Sequence, residues 1–200
     1  MPLKYLALGD SYTIGESVSK DQSFPYQLAA KLNQVGINMS SPEIIAATGW
    51  TTDDLIKAIK KNPRKKYDLV TLLIGVNNQY KGYSSDIYRE EFKELLNTAT
   101  IYAGGNKTHV FVISIPDWSV TPFAKKSDRD LQQVSDQIDL FNAINKEETL
   151  RKGIQYVDIT SGLRKTDSDP SLIAEDGLHP SGKVYEEWVE LLSGFIKNRT

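Results

Sequence analysis

Two short segments at opposite ends of the chain carry residue types that could act together in catalysis. Near the amino terminus, an apolar run at residues 3–8 leads directly into a Gly-Asp-Ser tripeptide that ends at Ser11. Near the carboxyl terminus, Asp176 and His179 lie close together before a final amphipathic segment. A serine hydroxyl is barely ionised at neutral pH and needs an adjacent base, which a carboxylate can orient. These residue types indicate a Ser-His-Asp hydrolase.

Both segments also have ordinary structural interpretations. Gly-Asp-Ser is common turn chemistry, and His179 stands where it could cap the helix that follows it. Asn77 could cap a turn, and Gly49 could be a simple turn glycine. The case for catalysis therefore depends on several of these residues meeting in one site.

Other chemistries lack their residues. The chain contains no cysteine, which excludes a thiol nucleophile, a thiolate zinc site and a disulfide frame. The two histidines form no H-x-x-H or H-E-x-x-H pattern, so we expect no metal site. The sequence holds no G-x-G-x-x-G or P-loop, so we expect no cofactor. It also lacks the G-x-S-x-G elbow of the usual α/β-hydrolases.

Composition indicates one globular domain over residues 1–200. The chain is 40% hydrophobic, which is enough for a full core, and its net charge of −2 gives no electrostatic basis for nucleic-acid binding. We expect no integral membrane segment, because no apolar run approaches the roughly 18 residues that a span needs. If Met1 is the native start we expect a cytoplasmic protein, and if a leader was removed, a periplasmic or secreted one.

Apolar runs rich in β-branched residues alternate with segments of helical periodicity along the chain. The predicted strands are residues 3–8, 43–47, 68–74, 109–115 and 154–159. The predicted helices, with their start and stop signals, are 24–35 ended by Gly36, 55–59 opened by Thr51 with Asp54 and ended by Pro63, 88–99, 131–144 opened by Ser127 with Asp130, and 184–195.

This alternation predicts a parallel sheet covered on both faces, that is, a three-layer α/β/α sandwich. Right-handed crossovers favour the flavodoxin-like strand order 2-1-3-4-5. In that order the loops after strands one, two and three meet at one edge of the sheet. Those loops contain Ser11, Gly49 and Asn77, so we expect these three residues to lie near one another.

Four spaced blocks resemble a known family. They are GDSYT at residues 9–13, the lone Gly49 after the second strand, GVNN at 75–78 and DGLHP at 176–180. The blocks are similar, in the same order and over essentially the whole chain, to those of the SGNH hydrolases, also called GDSL esterases/lipases. Four blocks together are far more specific than any one of them.

The resemblance implies a role for each matched residue. Ser11 would be the nucleophile, His179 its general base and Asp176 the group that orients His179. The backbone N–H groups of Ser11 and Gly49 and the side-chain amide of Asn77 would form an oxyanion hole. The chemistry agrees with these roles, because an oxyanion needs preorganised donors and a glycine backbone can approach a ligand closely.

One position departs from the family. Asn78 stands where many members carry Asp, and an amide cannot supply charge, although it can still form hydrogen bonds and shape the loop. We therefore expect the change to affect the details of the loop more than the activity.

The loops around Ser11 are rich in aromatic and apolar side chains, which commonly line pockets: Tyr12, Trp50, Tyr80, Tyr83, Trp118, Val120 and Phe123. Such a lining suits an acyl chain or an aryl group. Trp118 is the best candidate for a pocket wall, because its segment leaves the end of the fourth strand. The candidate substrate-binding residues are Asp10, Tyr12, Trp50, Asn78 and Trp118.

The sequence thus favours a serine esterase or lipase, including a lysophospholipase-like acylhydrolase, with a small-molecule, lipid or glycan ester as substrate. A carbohydrate O-acetylesterase and a thioesterase remain open, since both use the same machinery. A lipid- or glycan-binding relative without activity is the alternative from a different class.

Overall fold

The computed structural model describes residues 1–62, 65–165 and 169–197. Its strands are β1 (Tyr5–Gly9), β2 (Glu43–Ala46), β3 (Leu69–Leu73), β4 (Val110–Ile113) and β5 (Gln155–Val157). They form a five-stranded sheet in the order β2-β1-β3-β4-β5, and all neighbouring strands are parallel. The predicted fold class and strand order are confirmed.

Four strands lie within the predicted apolar runs and are shorter than them, whereas β1 begins later than predicted and extends to Gly9. The runs overshoot because residues beyond the last ladder pair are also buried. Ile115 and Ile159 follow their strands and have almost no exposed surface. Burial of apolar side chains, and not the hydrogen-bond ladder, therefore sets the length of the apolar runs.

The register of the central strands determines which loops meet. Gly9, at the end of β1, is paired with Ala46 of β2 on one side and with Leu73 of β3 on the other. The three strands consequently end at the same level, and the segments that follow them emerge side by side. This is the edge where parallel α/β sheets place their sites.

The helices of the described chain are α1 (Ser11–Ile14), α2 (Phe24–Gln34), α3 (Thr52–Lys60), α4 (Val76–Tyr80), α5 (Ser85–Tyr102), α6 (Pro122–Lys125), α7 (Leu131–Arg151), α8 (Thr160–Leu163) and α9 (Gly182–Lys197). Helix α2 packs against α9, while α5 packs against both α3 and α7. With right-handed crossovers these two groups cover opposite faces of the sheet.

The helix starts test the predicted signals. Thr51 and Asp54 form the predicted capping box at the start of α3. The signal proposed for the long helix is wrong in its first member: Asp130 is itself the N-cap, its carboxylate accepts from two backbone N–H groups, and the Ser127 hydroxyl instead donates to the carbonyl of Ala124. Pro63, proposed as a helix stop, lies outside the described residues.

Membrane crossing was examined over the same described ranges. Their helices are all either too short or too polar to pass through a lipid bilayer.

Candidate active site

Ser11 is the first residue of α1, directly after β1. The turn between them is tight, because a Cβ on Gly9 would lie 2.0 Å from the Thr13 hydroxyl and 2.4 Å from the Leu73 carbonyl oxygen. Only glycine lets the strand end this close to its neighbour. The turn brings the Ser11 side chain to the carboxyl edge of the sheet.

A hydrogen-bonded series joins the two ends of the chain at this edge. Nε2 of His179 lies 3.0 Å from Oγ of Ser11, and Nδ1 of His179 lies 2.5 Å from Oδ2 of Asp176. Both Ser11 and His179 are buried, with 5% and 6% of their surface exposed. The structure therefore brings all three residues of the predicted triad together.

The Asp176 carboxylate is held by four hydrogen bonds. Oδ1 accepts from the backbone N–H groups of Leu178 and His179, and Oδ2 accepts from the Ser17 hydroxyl besides its contact with the imidazole. Partial burial alone would raise the pKa of this carboxyl, but the hydrogen bonds outweigh burial and lower the pKa of Asp176 to about 2. Asp176 is thus ionised at neutral pH.

An ionised Asp176 selects one imidazole tautomer. A carboxylate can only accept, so Nδ1 of His179 carries the proton and Nε2 keeps a lone pair facing the Ser11 hydroxyl. In this arrangement Nε2 can accept the hydroxyl proton while the carboxylate stabilises the resulting imidazolium. The contact from Ser17 had no signal in the sequence, because Ser17 is 159 residues away from its partner.

Gly49 lies in a tight turn after β2. The Trp50 N–H donates to the Ala47 carbonyl over 3.3 Å, and Gly49 has a φ of 77°, in the left-handed region that favours glycine. The ammonium group of Lys81 donates to the Gly49 carbonyl oxygen over 2.9 Å. These contacts fix the turn against the segment that follows β3.

Asn77 faces this turn from α4. Its Nδ2 donates to the Trp50 carbonyl oxygen over 3.0 Å, and the residue is partly exposed at the site. A primary amide carries two N–H donors, so one bond to Trp50 orients the group and leaves a second donor. The loops that carry Ser11, Gly49 and Asn77 therefore meet at one edge, as their positions after β1, β2 and β3 predict.

A cavity of about 220 Å³ opens beside Ser11, His179 and Asn77. Its remaining wall is apolar and aromatic: Tyr12, Val76, Tyr80, Trp118, Phe123 and Leu178. Trp118 is 1% exposed and forms the deep part of the wall, whereas Tyr80 and Phe123, at 41% and 40%, stand at the mouth. A second cavity of about 240 Å³, between α3 and α5, contains none of the candidate site residues.

Three of the proposed substrate-binding residues are not among those that line this cavity. Asp10 is fully buried, because its Oδ1 accepts from the Tyr12 N–H and caps α1. Asn78 is also fully buried and is bound to Thr52. Trp50 is partly exposed and contributes its backbone carbonyl to Asn77. Their expected contact with substrate is corrected accordingly: they support the site from behind.

Asp10 is unusual among these supports. Its Oδ2 is buried with no hydrogen-bond partner within the described part of the chain. Burial raises the pKa of Asp10 to about 7, although the Tyr12 N–H pulls the pKa down.

Trp118 is held by polar contacts that the sequence did not reveal. Its Nε1 donates to Oε1 of Gln79 over 2.8 Å, and Gln79 in turn donates to Gln137. The preceding residue, Asp117, is fully buried and paired with Arg164 at 2.9 Å. The indole is therefore anchored from two sides.

Metal ligation was examined over residues 1–62, 65–165 and 169–197. In these ranges the His, Cys, Asp and Glu side chains form no group of three or more that could hold a metal ion.

This chain belongs to the GDSL-like lipase/acylhydrolase family, whose model matches residues 7–187. The match confirms the resemblance seen in the four sequence blocks. Family membership supports ester hydrolysis as the general reaction. Among curated proteins, no sequence matches the chain.

Solved structures with the same fold include a lipase/acylhydrolase from Enterococcus faecalis, at 22% identity, a TM-score of 0.71 and coverage of 100% of this chain and 97% of that one. An esterase from Pseudoalteromonas sp. is similar at 13% identity and a TM-score of 0.69, covering 98% and 97%. An acetyl xylan esterase from Geobacillus stearothermophilus is similar at 16% identity and a TM-score of 0.68, covering 97% and 94%. At these identities the likeness establishes the fold.

Proposed function

We propose that this protein is a serine carboxylic-ester hydrolase that works through an acyl-enzyme on Ser11. The observation that carries the proposal is the 3.0 Å contact between Ser11 Oγ and His179 Nε2, on an imidazole whose other nitrogen meets an ionised Asp176. A serine is a useful nucleophile only beside such a base.

The reaction follows from this geometry. Ser11 Oγ attacks the ester carbonyl carbon, and its proton passes to Nε2 of His179. The imidazolium then gives that proton to the leaving alkoxide as the carbon–oxygen bond breaks, which leaves Ser11 acylated. Water, deprotonated by the same nitrogen, attacks the acyl-enzyme and releases the acid and the free hydroxyl.

Developing negative charge on the carbonyl oxygen needs donors that are already in position. We assign this role to the backbone N–H groups of Ser11 and Gly49 and to the second N–H of Asn77. The contact of Asn77 with the Trp50 carbonyl supports the assignment, because it fixes the amide without using both donors.

The proposed acyl site is the cavity walled by Trp118. Its volume of about 220 Å³ is below the range of roughly 300–1,000 Å³ that is common for pockets holding drug-sized ligands. We therefore expect short acyl groups to be preferred over long chains. The same observation favours an O-acetylated carbohydrate as a second substrate class, since an acetyl group fits and the sugar could stay outside.

The test is a panel of p-nitrophenyl esters from acetate to palmitate, run beside acetylated xylan, lysophosphatidylcholine and an acyl thioester. We expect the highest kcat/KM for short acyl esters, and we expect S11A to lose activity and labelling by a fluorophosphonate probe while remaining folded. T98A, on the far cavity between α3 and α5, is the control. Binding of esters without turnover by the wild type would favour a binding protein and overturn the proposal.

A further inference from the structure

A chain of hydrogen bonds runs behind the site from α4 to α5. The Thr52 N–H donates to Oδ1 of Asn78 over 3.0 Å, and Nδ2 of Asn78 donates to the Thr52 hydroxyl oxygen over 2.6 Å. The Thr52 hydroxyl in turn donates to Oε2 of Glu91. Asn78 and Thr52 are both fully buried, so water cannot replace a missing partner.

The direction of this chain is fixed by the backbone. The Thr52 N–H can only donate, so the Asn78 atom that faces it must be the amide oxygen. The other end of the amide is then the NH₂ group, and the Thr52 hydroxyl oxygen must accept from it. The single proton of that hydroxyl is consequently directed to Glu91, which as a carboxylate has only acceptors.

This chain holds together the two segments that carry the proposed oxyanion donors. Thr52 begins α3, directly after the Gly49 turn, and Asn78 follows Asn77 on α4. Asn77 also bonds to the Trp50 carbonyl, so adjacent residues of α4 contact adjacent parts of one loop. A change in the Asn78–Thr52 contact would therefore alter the distance between Gly49 and Asn77.

We propose that Asn78 and Glu91 are a matched pair of positioning residues, which set the spacing of the oxyanion donors through a hydrogen-bond chain of fixed direction. Its catalytic consequence rests on the proposed function. The reason for an amide at position 78 is proton counting: Thr52 has one hydroxyl proton, and Glu91 already accepts it.

Two substitutions test this counting. In N78D a second carboxylate faces the Thr52 hydroxyl, and two acceptors compete for one proton. In N78D/E91Q the direction can reverse: the hydroxyl donates to the new carboxylate, and the new amide NH₂ donates to the hydroxyl oxygen. Every buried donor then has an acceptor again.

The control is N78D/E90Q. Glu90 precedes Glu91 on α5, and its side chain is 71% exposed in a contact with Lys93. This double variant has the same net charge and the same residue exchanges as N78D/E91Q, but it leaves the carboxylate at Thr52 in place. A rescue caused only by charge would appear in both double variants.

We would measure kcat and KM with p-nitrophenyl acetate and Tm for the wild type, N78D, E91Q and both double variants. We expect N78D to lower kcat about 10-fold with little change in KM, because misplaced oxyanion donors act on the transition state. We expect its Tm to fall by about 3–8 °C. N78D/E91Q should recover to within about three-fold of the wild-type kcat and regain most of the Tm, N78D/E90Q should not, and E91Q alone should lose less than N78D.

The outcomes separate the two proposals. If the wild type does not hydrolyse esters, the proposed function fails, and the Tm series alone then decides whether the pair exists. If N78D loses neither kcat nor Tm, if both double variants recover equally, or if neither recovers, the matched pair is wrong. If N78D does not fold but N78D/E91Q does, the pair is supported; if neither folds, it is contradicted.

Discussion

Nε2 of His179 lies 3.0 Å from Oγ of Ser11, although 168 residues separate them in the chain. The contact exists because β1 ends at the edge of the sheet where the segment before α9 crosses it. The backbone of this segment is also bound to α6, since the Phe123 N–H donates to the Gly177 carbonyl over 2.9 Å. A base at this distance makes the following expectations specific.

Removing His179 should cost nearly as much activity as removing Ser11, because the two act as one unit. We expect H179A to lose about 1,000-fold or more in kcat, and S11A/H179A to be no worse than either single variant. In the wild type, kcat/KM should rise with pH along one ionisation limb, since the imidazole must be neutral to act as base. Activity that is flat between pH 5 and 9 would contradict the assignment.

D176N should reduce kcat by less than H179A does and should shift the rising limb to lower pH. The reason is that hydrogen bonds hold the pKa of Asp176 at about 2, so its charge is present throughout pH 5–9 and stabilises the imidazolium. The check is a pH–rate profile of both proteins. An unmoved limb in D176N would show that the carboxylate does not act through the imidazole.

N77A should lower kcat by about 100-fold or more and leave KM nearly unchanged. Its amide is proposed to stabilise charge that exists only in the transition state, and one lost donor typically costs that much. Steady-state kinetics with a short ester would measure both constants. An increase in KM alone would instead assign Asn77 to binding of the ground state.

W118A should change the preference for acyl-chain length more than the intrinsic reactivity. The indole forms the deep part of the cavity wall, so its removal should let longer chains enter, with about 0.8 kcal/mol gained per additional buried methylene. The ratio of kcat/KM for octanoate and acetate esters is the measurement. Equal losses for both esters would mean that Trp118 only supports its loop.

D10N should flatten the dependence of stability on pH. Burial raises the pKa of Asp10 to about 7, while an unfolded chain releases this proton near pH 4. Between those values the folded state binds more protons than the unfolded state, so stability falls as pH rises. We expect the wild-type Tm to drop by about 5 °C more than that of D10N between pH 5 and 8. Parallel Tm curves would rule out a titrating Asp10.

Much of this protein is readable from its sequence. Apolar runs and helical periodicity depend on local burial, which repeats along each element, so the strands, the main helices and the strand order follow from them. The candidate nucleophile, base and acid were identified from residue types and their order. Confinement of residues 1–200 to one domain stays a prediction.

Only the tertiary structure decided which polar side chains face the cavity and which lie behind it. Asp10 and Asn78 sit beside Ser11 and Asn77 in sequence, yet both point inward, because one caps α1 and the other binds the start of α3. The contacts of Ser17 with Asp176 and of Thr52 with Glu91 join distant segments. Side-chain direction at such positions depends on partners supplied by the packed sheet and helices, and a linear pattern carries no information about partners that folding alone brings within hydrogen-bond distance.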